Sequence, residues 1–372
     1  MRRNAERLPY AGFRHELRDA MNRRVVSFAW GRGLGHVSRL IAVHRALGGL
    51  GWGSLFLVER RQRMIAEYEF DQVMIPTDKD SLVAEPLVGV ERMGNPALAR
   101  LIVDAVLSAD DVVLHDVVVH RDLYEQGMRL GCRQMLTYRS VKNRPDPGSW
   151  VARHTPGIHH VFLLGNPEYR ETREGVTLEG VHDVMRQPLA EESIWPEDTP
   201  RPRIVVTAAG GGHGDAKHFL TAALEGTRLF GSRARRAVSV YVVTGPHFHG
   251  TFAVPSGMNG IVRVTPYVGP RYSIYRDTTA VVAHGGYNTV QELASTGTPA
   301  VVVAGTRDFE DQRVHLNAAA DRLVAVVTEA TPEDIADGLT NVVQHSTDGP
   351  RRAIPPQGAW EIAYRITQLC MP

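Results

Sequence analysis

Ala280-Val281-Val282-Ala283-His284-Gly285-Gly286-Tyr287-Asn288-Thr289-Val290-Gln291-Glu292 reads as a strand, a glycine turn and the opening of a helix. Its apolar start, Ala280–Ala283, does not alternate with polar residues, which is how a strand buried on both faces of a parallel sheet reads. His284, Gly285 and Gly286 then fall at the helix N-terminus, where free backbone N–H groups and the helix dipole favour an anion such as a diphosphate. Glu292 follows about two turns on, with a carboxylate able to accept hydrogen bonds from both hydroxyls of a ribose. Tight packing of strand on helix, with no ligand, is the competing reading of this turn.

The same rhythm extends in both directions. In the first half, Val- and Ile-rich runs fall at Val25–Trp30, Ser54–Val58, Gln72–Ile75, Asp111–Leu114, Gln134–Thr137 and Val161–Leu164. In the second half they fall at Ile204–Ala208, Val238–Val243, Ile261–Val264, Ala280–Ala283, Ala300–Ala304 and Leu323–Val327. Helical patterns lie between them, at Val37–Leu47, Ala97–Leu107, Ala216–Leu229, Thr289–Ser295 and Pro332–Val343, with a last helix at Ala359–Leu369. Strands alternating with helices predict an α/β protein with wound parallel sheets. Gln187–Pro202, with Pro188, Pro196, Pro200 and Pro202 among acidic residues, breaks the rhythm and reads as a linker. The expected divisions are an extension over 1–23, a first domain over 24–187, a linker over 188–202, a second domain over 203–355 and a terminal helix over 356–372.

Each half opens on a glycine loop. Gly210-Gly211-Gly212-His213-Gly214 follows the first strand of the second half and offers an anion-binding turn, or only a tight strand-to-helix connection. Gly31-Arg32-Gly33-Leu34-Gly35-His36 follows the first strand of the chain. A dinucleotide fingerprint would have glycine where His36 stands, although Glu59 ends the second strand where such a fold places its ribose-binding acid. A histidine in the first turn of a helix feels the positive end of the dipole, so its neutral, proton-accepting form is favoured. His36 is therefore a candidate general base, the alternative being a residue that caps the helix or lines a cleft. Asp116 ends the strand in Leu114-His115-Asp116, where wound sheets line their ligand crevice, and is a candidate to orient His36. Capping a turn or binding a second substrate would also account for it.

The chain has 372 residues, enough for two domains, and its 43% hydrophobic and 22% charged residues are ordinary for a globular protein. A formal net charge of +1 offers no general attraction for nucleic acid or an anionic membrane. No run approaches the roughly 18 apolar residues of a membrane helix. The Arg-rich start, Met1–Arg23, has no apolar core of a secretory signal, and the apolar face of its helix around Arg14–Met21 is too thin to favour a membrane surface. Cys132 and Cys370 lack metal-ligand spacing, and a reduced, cytoplasmic setting is expected. Asp110-Asp111 at a strand start reads as structural rather than as a metal motif. No metal and no cofactor are expected.

Val264-Thr265-Pro266-Tyr267-Val268, Ala280 to Glu292, and Asp311 to Ala318 together resemble the donor-binding half of MurG-like and antibiotic-type glycosyltransferases, and the Gly33–His36 loop matches the start of the same proteins. The resemblance implies the glycosyltransferase B (GT-B) architecture: two Rossmann-like domains facing across a cleft, with the C-terminal helix crossing back to the first. It implies that the backbone of Val268, beside Tyr267, meets the base. His284 and the Gly285–Thr289 turn, including Gly286 and Asn288, would hold the diphosphate, and Glu292 the ribose. Asp311 and Gln312 would face the donor sugar, and His36 would be the base. Gly33, Gly35, Gly211, Gly212 and His213 complete the expected donor contacts. The implied partners are a nucleotide-sugar donor, UDP-linked first and dTDP- or GDP-linked otherwise, and an acceptor hydroxyl in secondary-metabolite or cell-envelope glycoconjugate synthesis. The implied transfer inverts the anomeric centre and needs no metal. A nucleotide-sugar 2-epimerase of the same fold, or a noncatalytic sugar-nucleotide-binding protein, would share the donor motifs.

Overall fold

The computed structural model describes residues 23–29, 34–58, 73–74, 83–84, 90–92, 103–139, 147–186, 192–212, 214–258, 262–269, 271–307, 310–319, 323, 325–345 and 357–371. Two mainly parallel sheets dominate. The first half contributes β1 (Arg24–Ala29), β2 (Gly53–Val58), β3 (Val73–Met74), β4 (Val112–Asp116), β5 (Arg133–Tyr138), β6 (Ile158–Leu164), β7 (Arg170–Arg173) and β8 (Val176–Val181), in the order β7-β8-β6-β5-β4-β1-β2-β3. Only β7 runs antiparallel to its neighbour in this sheet. The second half contributes β9 (Arg203–Thr207), β10 (Ser239–Val243), β11 (Val262–Thr265), β12 (Ala280–His284), β13 (Ala300–Val303) and β14 (Ala325–Thr328), in the order β11-β10-β9-β12-β13-β14 and parallel throughout.

The order of the second sheet is that of a Rossmann fold, with the reversal between β9 and β12; the first sheet reverses in the same way between β1 and β4. Ligands of such sheets sit at the carboxyl ends of the strands flanking the reversal. β4, β9 and β12 are buried along their whole length, in keeping with helices on both faces.

Helix α1 (Leu34–Gly49) buries Val37, Leu40, Ile41, His44 and Leu47, a stripe at helical spacing that covers the first sheet. The other helices are α2 (Arg121–Leu130), α3 (Pro147–His154), α4 (Ala216–Ala234), α5 (Tyr287–Thr296), α6 (Gln312–Ala318), α7 (Pro332–His345) and α8 (Gly358–Cys370). The last of these crosses back to the first half. Ile362, Ala363 and Ile366 enter the same core as Val37, Leu40 and Leu47, and Trp52 Nε1 donates to Thr367 Oγ1 at 3.1 Å.

Several local expectations change. Helices α2 and α3 and the β7–β8 hairpin were not expected; α3 lies inside a stretch whose Pro and Gly content reads as loop. The later part of the expected linker is stitched to the second half: Glu192–Ser193 pairs with Tyr272–Ser273, and Trp195 is buried and donates to Thr278 Oγ1 at 2.8 Å. Of the expected helix Ala97–Leu107, residues 103–106 are helical, and 97–102, residues 1–22, Gly31, Gly33, Glu59 and His213 lie outside the described residues. Among the described residues no helix is long and apolar enough to cross a membrane, and both cysteines are free thiols.

Candidate functional site

The two strand-order reversals face each other, and the candidate residues gather between them. His36 stands in the first turn of α1, after β1, and Asp116 ends β4 across the reversal. His36 Nδ1 lies 2.8 Å from Asp116 Oδ2 and 2.9 Å from the Asp116 carbonyl. Both are acceptors, so the imidazole proton sits on Nδ1 and Nε2 is the basic nitrogen. The His36 side chain is 15% exposed, whereas that of Asp116 is 1% exposed.

Asp116 holds its charge in this buried place because cations and donors surround it. Arg39, one helical turn beyond His36, forks onto the carboxylate with Nε 3.1 Å from Oδ1 and Nη2 2.6 Å from Oδ2. Thr137 Oγ1 donates to Oδ1 at 2.5 Å. Burial alone would raise the carboxyl pKa, but the charge of Arg39 and the hydrogen bonds from His36 and Arg39 hold it far below the usual carboxylate range. For His36 burial is the largest effect and lowers its pKa; Asp116 opposes this, while Arg39 and Arg139 add to it. The result is a neutral imidazole held in one tautomer.

The chain leaves β4 abruptly. Val117 has a φ of 62°, a left-handed conformation seldom adopted by a β-branched residue, and Val118 N donates to the Asp116 carbonyl at 2.6 Å. This tight turn takes the Asp116 carbonyl out of the strand ladder and toward His36. Backbone strain of this sort is found where geometry matters to chemistry.

In the second half, the two glycine loops flank the β9/β12 reversal. Gly211 has a φ of 72°, and a Cβ there would lie 2.2 Å from the Thr244 carbonyl, so this turn requires glycine. Gly212 is exposed beside it. Gly286 is the N-cap residue of α5, Gly285 N donates to the Val303 carbonyl at 2.9 Å, and Thr289 is buried in the first turn. His284 proves to be the last residue of β12 rather than part of the turn. Its imidazole is buried, with its centroid 4.1 Å from that of Phe219 and Nε2 3.9 Å from Asp215 Oδ2.

Glu292 accepts a short hydrogen bond from the Tyr275 hydroxyl. Burial raises the Glu292 pKa, and Tyr275 and Arg186 oppose that shift. Arg186 Nη1 donates to the Tyr267 hydroxyl at 2.6 Å, just before Val268, so the expected base-binding segment is held by the first half of the chain. Gln312, fully buried at the start of α6, accepts from Gly305 N at 2.8 Å. A Cβ on Gly285 would lie 3.4 Å from Gln312 Oε1, which puts Gln312 beside the α5 turn. The backbone of Asp311 pairs with Thr306 in a small hairpin.

Contacts across the cleft join the halves. Asn288 Nδ2 lies 3.5 Å from the Gly35 carbonyl, and Arg39 Nη1 lies 3.4 Å from Asn288 Oδ1. The Tyr287 hydroxyl donates to Asp183 Oδ1 at 2.6 Å, with Arg39 and Arg139 lying 5.7 Å and 5.2 Å from its ring centroid. Asp110-Asp111, expected to be structural, lies elsewhere: Arg24 forks onto Asp111 at 3.0 and 2.7 Å, at the opposite end of the sheet from Asp116. The sequence reading missed Arg39, Tyr275, Tyr287 and Arg186. Arg39 had a legible signal, a charge among Val37, Leu40 and Ile41 and three residues after His36. Tyr275, 17 residues before Glu292, had none.

Residues 205–359 match the glycosyltransferase family 28 C-terminal domain. No curated protein sequence is similar enough to the chain to count as a match. Among solved structures, the chain is similar to spinosyn forosaminyltransferase SpnP, at 16% identity and a TM-score of 0.56 over 93% of this chain and 99% of that one. It is similar to MurG of Acinetobacter baumannii, at 15% identity and a TM-score of 0.52 over 93% and 99%. A putative UDP-N-acetylglucosamine 2-epimerase from Listeria monocytogenes gives 12% identity and a TM-score of 0.55 over 92% and 94%. At these identities the likeness is one of fold. Two facing Rossmann-like sheets, with a family 28 C-terminal domain over residues 205–359, identify the chain as a glycosyltransferase of the GT-B fold.

Proposed function

We propose that the protein transfers a sugar from a nucleoside-diphosphate sugar to an acceptor hydroxyl with inversion, with His36 as general base and Asp116 as its orienting partner. The observation that carries this reading is the buried His36–Asp116 hydrogen bond facing the family 28 domain. His36 Nε2 takes the acceptor proton as its oxygen attacks the anomeric carbon, and the carbon passes through an oxocarbenium-like state. The departing diphosphate gathers negative charge, which the backbone N–H groups of the Gly285–Thr289 turn and the α5 dipole stabilise. Gln312, with Asp311 beside it, meets the donor sugar, and Val268 meets the base. UDP-sugars come first, before dTDP- and GDP-sugars, and the setting is cytoplasmic synthesis of a secondary metabolite or envelope glycoconjugate. The test is incubation with each nucleotide sugar and candidate acceptors, with the product read by mass spectrometry; a wild-type protein that makes no glycoside overturns the reading.

The epimerase reading has a neighbour of the same fold but would require carboxylates committed to sugar chemistry in the cleft. Asp116, Asp183 and Glu292 are instead engaged by Arg39, Tyr287 and Tyr275. An epimerised donor sugar appearing without acceptor would favour it.

In this reading Glu292 binds the ribose. A carboxylate offers about four lone-pair sites, so the Tyr275 bond leaves room for two ribose hydroxyls. Glu292→Ala is expected to weaken UDP binding by about 1.5 to 3 kcal/mol, the size of a hydrogen bond to a charged group. Unchanged affinity in titration calorimetry would remove Glu292 from the site.

The leaving group is stabilised here by backbone dipoles. Turnover is therefore expected to persist at its full rate in excess EDTA. A strict requirement for added Mg²⁺ or Mn²⁺ would refute that account.

A further inference from the structure

We propose that Arg39 is a positioning residue that ties the His36–Asp116 pair to the donor turn at Tyr287 and Asn288, so that the base is aligned only when that turn is in place. The inference rests on the base role of His36 proposed above and adds its control from across the cleft.

Arg39 occupies an unusual place. It is buried on α1, 3% exposed, although it lies off the apolar stripe of Val37, Leu40 and Ile41 that covers the first sheet. Putting a guanidinium there is costly unless its donors are met. Two of its nitrogens are met by the two oxygens of Asp116. The third, Nη1, reaches Asn288 Oδ1 at 3.4 Å in the other half of the chain, and the cation lies 5.7 Å from the Tyr287 ring centroid. Gly35 leaves room for this reach, since a Cβ there would stand 3.3 Å from Arg39 Nη1, a tight contact. One planar fork therefore touches the partner of the base and the first two residues of α5. A planar group cannot move at one end without turning at the other.

A movement of the α5 turn is thus carried to Asp116 and, through Oδ2, to His36 Nδ1. The charged groups acting on His36 are Asp116 at the end of β4, Arg39 on its own helix and Arg139 just beyond β5. His120 is also within electrostatic reach, and burial keeps it neutral.

The test compares Arg39→Gln and Arg39→Lys, alone and with Asn288→Ala. Arg39→Gln removes a positive charge that disfavours the imidazolium, so the acid limb of kcat/KM is expected to move to higher pH. Arg39→Lys keeps the charge and loses the fork, so its limb stays near wild type while kcat falls by up to about a hundredfold, the effect of misplacing a reacting group by about an ångström. UDP affinity should change much less than kcat in both. The kcat losses of Arg39→Lys and Asn288→Ala should fail to multiply in the double variant, as for residues acting through one contact. A merely structural role would lower kcat at every pH without moving the limb, and the losses would multiply; either result overturns the proposal. If Arg39→Gln does not fold, the Arg39→Lys cycle decides. If the wild type transfers no sugar at all, the base reading fails separately, and NMR titration of the His36 ring still tests whether Arg39→Gln raises its pKa.

Discussion

Replacing His36 with alanine is expected to lower kcat at least about a hundredfold while leaving UDP affinity nearly unchanged. The base supplies about a hundred- to ten-thousand-fold in reactions of this kind. The residues assigned to the donor lie in the other half of the chain, so the loss should fall on the chemical step. In the wild type, the acid limb of kcat/KM should lie below the ordinary histidine value of 6.5, because burial disfavours the cation more than Asp116 favours it. Sugar transfer must fail as pH drops through that lowered value, where His36 takes a proton and can no longer accept one. The limb should vanish in His36→Ala. A variant that transfers sugar at near wild-type rate would end the base assignment and turn attention to Asp116 and His115. His115 is the weaker candidate, since Nε2 is 3.0 Å from Gln134 Oε1 and burial lowers its pKa to about 4.

The meeting of His36 and Asp116 was legible because wound sheets put strand ends where chemistry happens. A residue just after β1 and one at the end of β4 must approach each other when those strands are neighbours, although 80 positions separate them. The glycine turn before α5 was legible for the same reason. What decided the finer arrangement was packing, which short spacing does not record. The His284 ring meets Phe219 because β12 runs one residue further than its apolar run. Helix α2, Arg-Asp-Leu-Tyr-Glu-Gln-Gly-Met-Arg-Leu, was missed because its apolar residues are few, yet Leu123 is fully buried. Helix α3 was masked by Pro147 and Gly148 at its start, where proline is well tolerated. Arg39 was overlooked because charge on a helix is ordinarily solvent-facing, and only the carboxylate arriving from β4 makes its burial tenable.

Asp116→Asn is expected to reduce kcat by up to about ten-thousand-fold, as the loss of an orienting carboxylate does in a catalytic triad. The reason lies in the donors that Asp116 now satisfies. Oδ2 receives His36 Nδ1 and Arg39 Nη2, and Oδ1 receives Arg39 Nε and Thr137 Oγ1. An amide can present oxygen on one side only. With NH₂ toward His36 and Arg39, donor meets donor and the imidazole is driven to the other tautomer, which places its proton on the nitrogen that should be the base. With NH₂ toward Thr137, it meets Arg39 Nε. Either way the guanidinium loses its counter-charge in a buried place. Breaking a buried pair costs about 3 to 5 kcal/mol when one partner is removed outright, and the asparagine should fall somewhat short of that. The pH dependence gives a second reading. The folded-state pKa of Asp116 is depressed, so its contribution to stability is fully present above the ordinary carboxylate pKa and is lost as pH falls from there toward the depressed value. Urea unfolding of wild type should therefore lose stability across that acid range, and Asp116→Asn should lose less. Equal acid sensitivity in the two proteins, with kcat intact in the variant, would show that the His36–Asp116 contact neither holds the fold nor aims the base.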